Sequence, residues 1–336
     1  MLIYLTGFSQ DIHFTQTAQT PVLINPAACA VFNGWERFIV NHRNQWLGAN
    51  TQFMTTNISA EMAAFKPDMN DRAHLGIGVM FFNDIGGDSQ FGHRQGSLTL
   101  NGILPMGGNG HTLAVGLQGG VGNRSGNATS LDYRSQWDGQ KFDKLILTGD
   151  MNKLGSFTYL DASAGVYYVY DGSQNTFQGE NNLKVQAGFA AYHVNAPKFK
   201  FATGATSEQL LRKYVAHAGV TADLGSSSFT IDANAVQTIQ GTHFQTLVGA
   251  MLRYRFEDGT YVTGNTQEAF FGIGLYTRWK DAIMPSILID WKSFQFGISY
   301  DITISKLRNA YRGGSLEFSL SYSTRNTALF KGRGRF

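Results

Sequence analysis

The feature that most limits what this chain can fold into is strict two-residue alternation, clearest in two segments near the carboxyl end. Phe294-Gln-Phe-Gly-Ile-Ser-Tyr-Asp-Ile-Thr-Ile304 puts Phe294, Phe296, Ile298, Tyr300, Ile302 and Ile304 on one face, and Ser315-Leu-Glu-Phe-Ser-Leu-Ser-Tyr-Ser323 does the same with Leu316, Phe318, Leu320 and Tyr322. Successive side chains of a strand point to opposite faces, so each segment has one apolar wall and one small or polar wall. The pattern recurs along the chain, for example at Leu75, Ile77, Val79 and Phe81, at Leu160, Ala162, Ala164 and Val166, and at Phe271, Ile273 and Leu275. About fourteen such segments can be counted, most near the 9–11 residues that cross a tilted barrel wall. An all-β, outer-membrane-type transmembrane barrel of antiparallel strands is the expected fold.

Composition agrees. Of 336 residues 39 are Gly, well above the usual ~7%, and 15% are charged against a usual ~25%. No run of 18 or more apolar residues exists, so no helical span is expected. A net charge of +3 without a dense basic cluster, other than the tail Lys331-Gly-Arg-Gly-Arg-Phe336, does not suggest nucleic-acid binding. The single Cys29 excludes an intramolecular disulfide. No His/Cys/Asp spacing suggests a metal, and Gly107-Gly-Asn-Gly110 lacks the Lys-Ser/Thr of a phosphate loop, so neither metal nor cofactor is expected. Gly87-Asp-Ser-Gln90 superficially resembles a hydrolase block, but nothing places a base beside Ser89, and catalysis is not expected.

The apolar opening with Gly7-x-Ser9 reads as the end of a signal peptide over residues 1–9. Residues 10–34, with Pro21 and Pro26 and little periodicity, read as a segment along the periplasmic mouth or a plug in the lumen. The barrel is expected over 35–324 and a basic tail over 325–336. An even strand count puts both termini on the periplasmic side. The long connections Gly122–Ser156 and Ala196–Leu210 then lie outside the cell, and Pro105–Gly110 and Lys292-Ser293 form short periplasmic turns.

Several motifs carry a family resemblance in order along the chain: Gln10-Asp-Ile-His-Phe-Thr-Gln16 with Pro21-Val-Leu-Ile-Asn-Pro-Ala27, His42-Arg-Asn-Gln-Trp46, Ala191-Tyr-His-Val-Asn-Ala-Pro-Lys-Phe199, and Phe296-Gly-Ile-Ser-Tyr-Asp301 followed by Gly313-Gly-Ser-Leu-Glu-Phe-Ser-Leu-Ser-Tyr322. Together they resemble the PorP/SprF family of outer-membrane proteins of the Bacteroidetes type IX secretion system. His42 stands where that family usually has Tyr, and Leu316 where it usually has His. The resemblance implies a barrel that supports secretion or cell-surface anchoring of a cargo, such as a large adhesin with a C-terminal sorting domain, in some members for gliding motility. The implied partners are that cargo, the type IX machinery and outer-membrane lipid.

Two groups of candidate site residues follow. Asn25, Pro26, His42, Arg43, Trp46, His193 and Pro197 fall in the resembling motifs and Trp137 in the Gly122–Ser156 connection; these are candidates for partner contact. Asn25-Pro26-Ala27 and the His193/Pro197 pair read more simply as turn and strand-end chemistry. Glu61, Asp161, Asp232, Arg253, Arg255, Asp290, Asp301 and Glu317 fall on polar walls and are expected to form a lumenal charge network, since a charge inside a barrel must be solvated or paired. The alternatives are an outer-membrane channel for a small hydrophobic or sugar ligand, and a soluble β-protein.

Overall fold

A computed structural model describes residues 12–46, 53–67, 72–87, 90–107, 110–126, 131–143, 145–146, 156–172, 183–199, 208–225, 227–257, 269–305, 313–324 and 329. Fourteen antiparallel strands close into one barrel: β1 (Glu36–Gln45), β2 (Phe53–Ala64), β3 (His74–Gly86), β4 (Phe91–Met106), β5 (His111–Ser125), β6 (Phe157–Asp171), β7 (Lys184–Tyr192), β10 (Lys213–Asp223), β11 (Phe229–Gln240), β12 (His243–Glu257), β13 (Ala269–Arg278), β14 (Ala282–Trp291), β15 (Phe294–Thr303) and β16 (Ser315–Ser323). Between β7 and β10, β8 (Lys198–Phe199) and β9 (Glu208–Gln209) form a separate pair. Closure comes from β1 on β16, in register from Arg37 opposite Ser323 to Gln45 opposite Ser315. Closure leaves no unpaired strand edge, which a β-structure needs in order to sit in lipid.

The alternation of the sequence becomes the two faces of the wall. Leu98, Leu100, Leu117, Leu160, Ile273 and Leu275 project outward, Leu160 at 69% exposure, whereas Asn41, Asn57, Thr99, Asn101, Ser299 and Ser319 are buried inside. A charge on the lipid face is destabilising, so an inward direction for Glu61, Asp161, Asp301 and Glu317 is the lower-energy choice. The ladder between β14 and β15 is interrupted beside Pro285, which has no N–H to donate.

Strand lengths and ends differ from those read in the sequence: the β7–β10 connection runs from 193 to 212, and β4 runs on to Met106. Strands β3 to β6 have 13, 16, 15 and 15 residues, longer than the 9–11 that a membrane crossing needs. β5 runs on to Ser125, so the connection to β6 starts after that residue and not at Gly122. Pairing with β4, up to Gly92 opposite Ser125, and with β6, up to Arg124 opposite Phe157, carries β5 that far. Residues 1–9 and, apart from Leu329, the basic tail lie outside the described residues.

Before β1 the chain runs inside the barrel. It forms two short 3-10 turns (Thr17–Gln19 and Pro26–Ala28) around a single turn, α1 (Pro21–Ile24). Pro21 and Pro26 each sit in the first turn of their element, where the missing N–H has no helical partner to lose. Phe14, Val22, Leu23, Ala27, Ala28, Cys29 and Ala30 share an apolar cluster with Ala63, Met80, Phe82, Ile103, Ala114, Tyr167 and Val169 of the wall from β2 to β6. Ile24 packs on a second cluster that includes Val215, Val236 and Leu247.

Candidate functional site

The strand order defines two mouths. At the terminal mouth β1 begins and β16 ends; at the far mouth the connections β1–β2, β5–β6, β7–β10 and β15–β16 cross. The N-terminal segment is gripped at both levels.

Near the far mouth, four charged side chains on four strands gather at the segment, and two of them, Glu317 and Arg43, bond to its backbone. Both oxygens of Glu317 accept from Thr15 N–H, at 3.0 and 2.8 Å. The Thr15 hydroxyl donates to Asp301 Oδ1 at 2.7 Å, and Arg43 Nη1 donates to the His13 carbonyl at 2.9 Å. Arg43 also lies 3.3 Å from Asp301 and 3.4 Å from Glu317, and Arg278 reaches Asp301 and Asp281 at 2.9 Å each. Two carboxylates and two guanidiniums with almost no exposure stand close enough to offset one another's burial. Gln16 extends the grip: Ser319 Oγ donates to its Oε1 at 2.6 Å.

Deeper in the barrel the grip comes from amides. Asn101 Nδ2 donates to the carbonyls of Ala27 (2.8 Å) and Cys29 (2.7 Å), and Asn41 Nδ2 to that of Gln19 (3.2 Å). Asn25 is fully buried: its Nδ2 donates to the Val166 carbonyl at 2.9 Å and lies 3.0 Å from His217 Nε2, while its Oδ1 accepts from Ala27 N–H at 2.9 Å. Glu61 accepts from Ala30 N–H at 2.6 Å and pairs with Arg37 at 2.7 Å. At the terminal mouth Lys66 Nζ donates to the Gly34 carbonyl at 2.9 Å, and burial lowers its pKa below the ordinary lysine value. The wall is cut away to admit the segment. A Cβ on Gly116 would stand 2.5 Å from Ala27 N and from the carbonyl carbon of Pro26, one on Gly78 2.5 Å from Cys29 Sγ, and one on Gly165 would collide with the Asn25 amide.

Beside the segment, toward the terminal mouth, a cavity of about 450 Å³ remains. Arg37, Lys184, Asp223, Arg253, Arg255 and Asp290 line it. Arg255 pairs with Asp223 at 3.3 Å and Arg253 with Asp290 at 3.6 Å, and the Arg253 guanidinium lies 4.4 Å over the Phe270 ring. Acid and base alternate around the opening, so no strong field of one sign develops.

The eight expected lumenal charges therefore fall into separate groups. Asp301 and Glu317 meet at the far mouth, Glu61 holds Ala30, and Arg253, Arg255 and Asp290 surround the cavity; Asp232 accepts from Asn234 at 2.7 Å. Asp161 stands apart with His193 at 2.8 Å and Gln95 at 3.0 Å. Of the residues suggested for partner contact, Asn25, Pro26, Arg43 and His193 are buried, and Asn25, Arg43 and His193 have hydrogen-bond partners inside the molecule. His42 is on the outer face of β1, 2.9 Å from Thr56 Oγ1. Trp46 packs edge-on against Phe53, and Pro197 is half-buried in the β7–β10 connection. Trp137 is 55% exposed in the β5–β6 connection and forms a β-bridge with Phe142. Arg37, Arg278, Asn101 and His217 were missed, although strand parity points each of them inward. Among the described residues no group of His, Cys, Asp and Glu is arranged to hold a metal.

The model of PorP/SprF, a type IX secretion system membrane protein, matches residues 6–322. The chain belongs to the PorP/SprF family. Its location is accordingly the outer membrane, where closed β-barrels are the spanning structure. Membership also associates it with the type IX secretion machinery. No curated protein matches the chain. Among solved structures, BamA from Haemophilus ducreyi lacking POTRA domains 1–3 is similar at 10% identity and TM-score 0.45, over 86% of this chain and 70% of that one. The translocator domain of the autotransporter NalP from Neisseria meningitidis is similar at 10% identity and TM-score 0.41, over 92% and 96%. CdiB from Acinetobacter baumannii is similar at 8% identity and TM-score 0.41, over 86% of this chain, which spans 60% of the CdiB chain.

Proposed function

We propose that this PorP/SprF barrel serves type IX secretion as a closed-lumen surface anchor, holding one secreted cargo, such as an adhesin with a C-terminal sorting domain, at its outer loops. The observation that carries the reading is the segment 12–35. It runs through the barrel and hydrogen-bonds to the wall from the Thr15–Glu317 contact to the Ala30–Glu61 contact, obstructing the lumen, so cargo does not travel through it. The far mouth is the outer one on the usual rule that both ends of an even-stranded barrel are periplasmic and the longer loops external. The longest connections, 126–156 and 193–212, are on that side, and in the first Trp137, Phe142 and Leu145 present apolar surface to a partner. Trp46 and Pro197 are also on that side, as secondary contacts. A role in gliding follows only where the held cargo is a motility adhesin.

Removal of residues 131–143 tests the reading. The barrel should remain folded and general permeability unchanged, while one adhesin disappears from the cell surface into the medium or the periplasm. Unchanged display of every type IX cargo would refute it. The channel reading draws on the cavity of about 450 Å³. Its paired charges favour a solvated, structurally balanced vestibule over a site for a hydrophobic ligand.

A further inference from the structure

The N-terminal segment enters β1 at the terminal mouth, where Lys66 holds the Gly34 carbonyl. Followed backward, it passes Glu61 at Ala30, then Asn41 at Gln19, then Asp301 and Glu317 at Thr15. Asp301 lies two residues before the end of β15 and Glu317 two after the start of β16, both at the far mouth. Ile12, His13 and Phe14 line a small space with Lys213, Gln240 and His243, which mark the far-mouth ends of β10, β11 and β12. The segment thus spans the barrel from one mouth to the other. It is also pinned across the closing seam, since Arg43 belongs to β1 and Glu317 to β16, and both hold it.

We infer that the chain is threaded through its own barrel, so that Ile12 lies at the outer mouth and is reached from the cell surface beside the cargo-holding loops. This rests on the orientation given under the proposed function.

Cysteines introduced singly as Ile12→Cys, Leu145→Cys and Ser227→Cys, in otherwise intact protein, are exposed to a membrane-impermeant maleimide on whole cells. Leu145 is at the far mouth and Ser227 in the β10–β11 turn at the terminal mouth. Ile12→Cys and Leu145→Cys should label on intact cells, and Ser227→Cys only after the outer membrane is opened. A short epitope inserted directly before Ile12 should bind antibody on intact cells. Labelling at Leu145→Cys with Ile12→Cys and the epitope reached only in opened cells, or not at all, overturns threading. If Ser227→Cys labels on intact cells while Ile12→Cys and Leu145→Cys need opened cells, the orientation is wrong and threading stands.

Discussion

Asn25→Ala should loosen the N-terminal segment without opening the barrel. The side chain makes three contacts, to the Val166 carbonyl, His217 Nε2 and Ala27 N–H, and is fully buried. Truncation removes all three, and the flanking Gly165 and Gly188 have no side chain with which to fill the space. At about 1 kcal/mol per hydrogen bond, and more where a buried partner is left unpaired, local opening becomes easier by about 3 kcal/mol. The native Cys29 reports that opening: it is the only cysteine in the chain, fully buried, and four residues from the change. When closing outpaces labelling, modification by a maleimide follows the open population, and 3 kcal/mol raises the rate about a hundredfold. The assay is a gel shift with a polymer-linked maleimide on detergent-solubilised barrel, beside the heat-modifiable band that reports the folded wall. A labelling rate within a factor of three of wild type, with the wall intact, would refute the idea that Asn25 locks the segment.

Gly116→Val places its branch against the Ala27 and Pro26 backbone, which cannot give way as a flexible side chain would, so Cys29 labelling should rise while the barrel band persists. Glu317→Gln leaves Arg43 facing one carboxylate fewer; breaking such a buried pair costs about 3–5 kcal/mol, and the temperature at which the folded band disappears on SDS gels should fall. A mobility unchanged at every temperature would contradict the clasp. Trp137→Ala removes an exposed side chain, so barrel stability should stay within about 0.5 kcal/mol by the same gel assay, while surface display of the cargo falls on flow cytometry.

The wall was legible because period-two alternation is a local signal: the side chains of one strand already say which face meets lipid. Its ends were less so. β5 continues through Gly122 to Ser125 because it finds partners in the long β4 and β6, and that information is not in any one segment alone. The polar walls gave Glu61, Asp301 and Glu317 their inward direction, but not their shared task of holding the N-terminal segment. Arg43 was read as a partner contact because it lies in a family motif. Its parity with Asn41 on the inner face of β1 was obscured by a strand that also buries Ile39. Arg278 shares the inner parity of Tyr276 and carried the same overlooked signal. The inward glycines at 78, 116 and 165 registered only as composition, because their purpose is the shape of a segment distant in sequence. For the same reason Asn25 resembled ordinary turn chemistry until His217, on a strand far along the chain, was found beside it.

The claim that the barrel is obstructed by its own N-terminal segment is tested most directly by single-channel recording of the purified protein in planar bilayers. Wild type should show no steady conductance of the size expected for an unobstructed fourteen-stranded barrel, and Asn25→Ala or Gly116→Val should introduce intermittent openings. A large, steady wild-type conductance, unchanged by either substitution, would contradict the account.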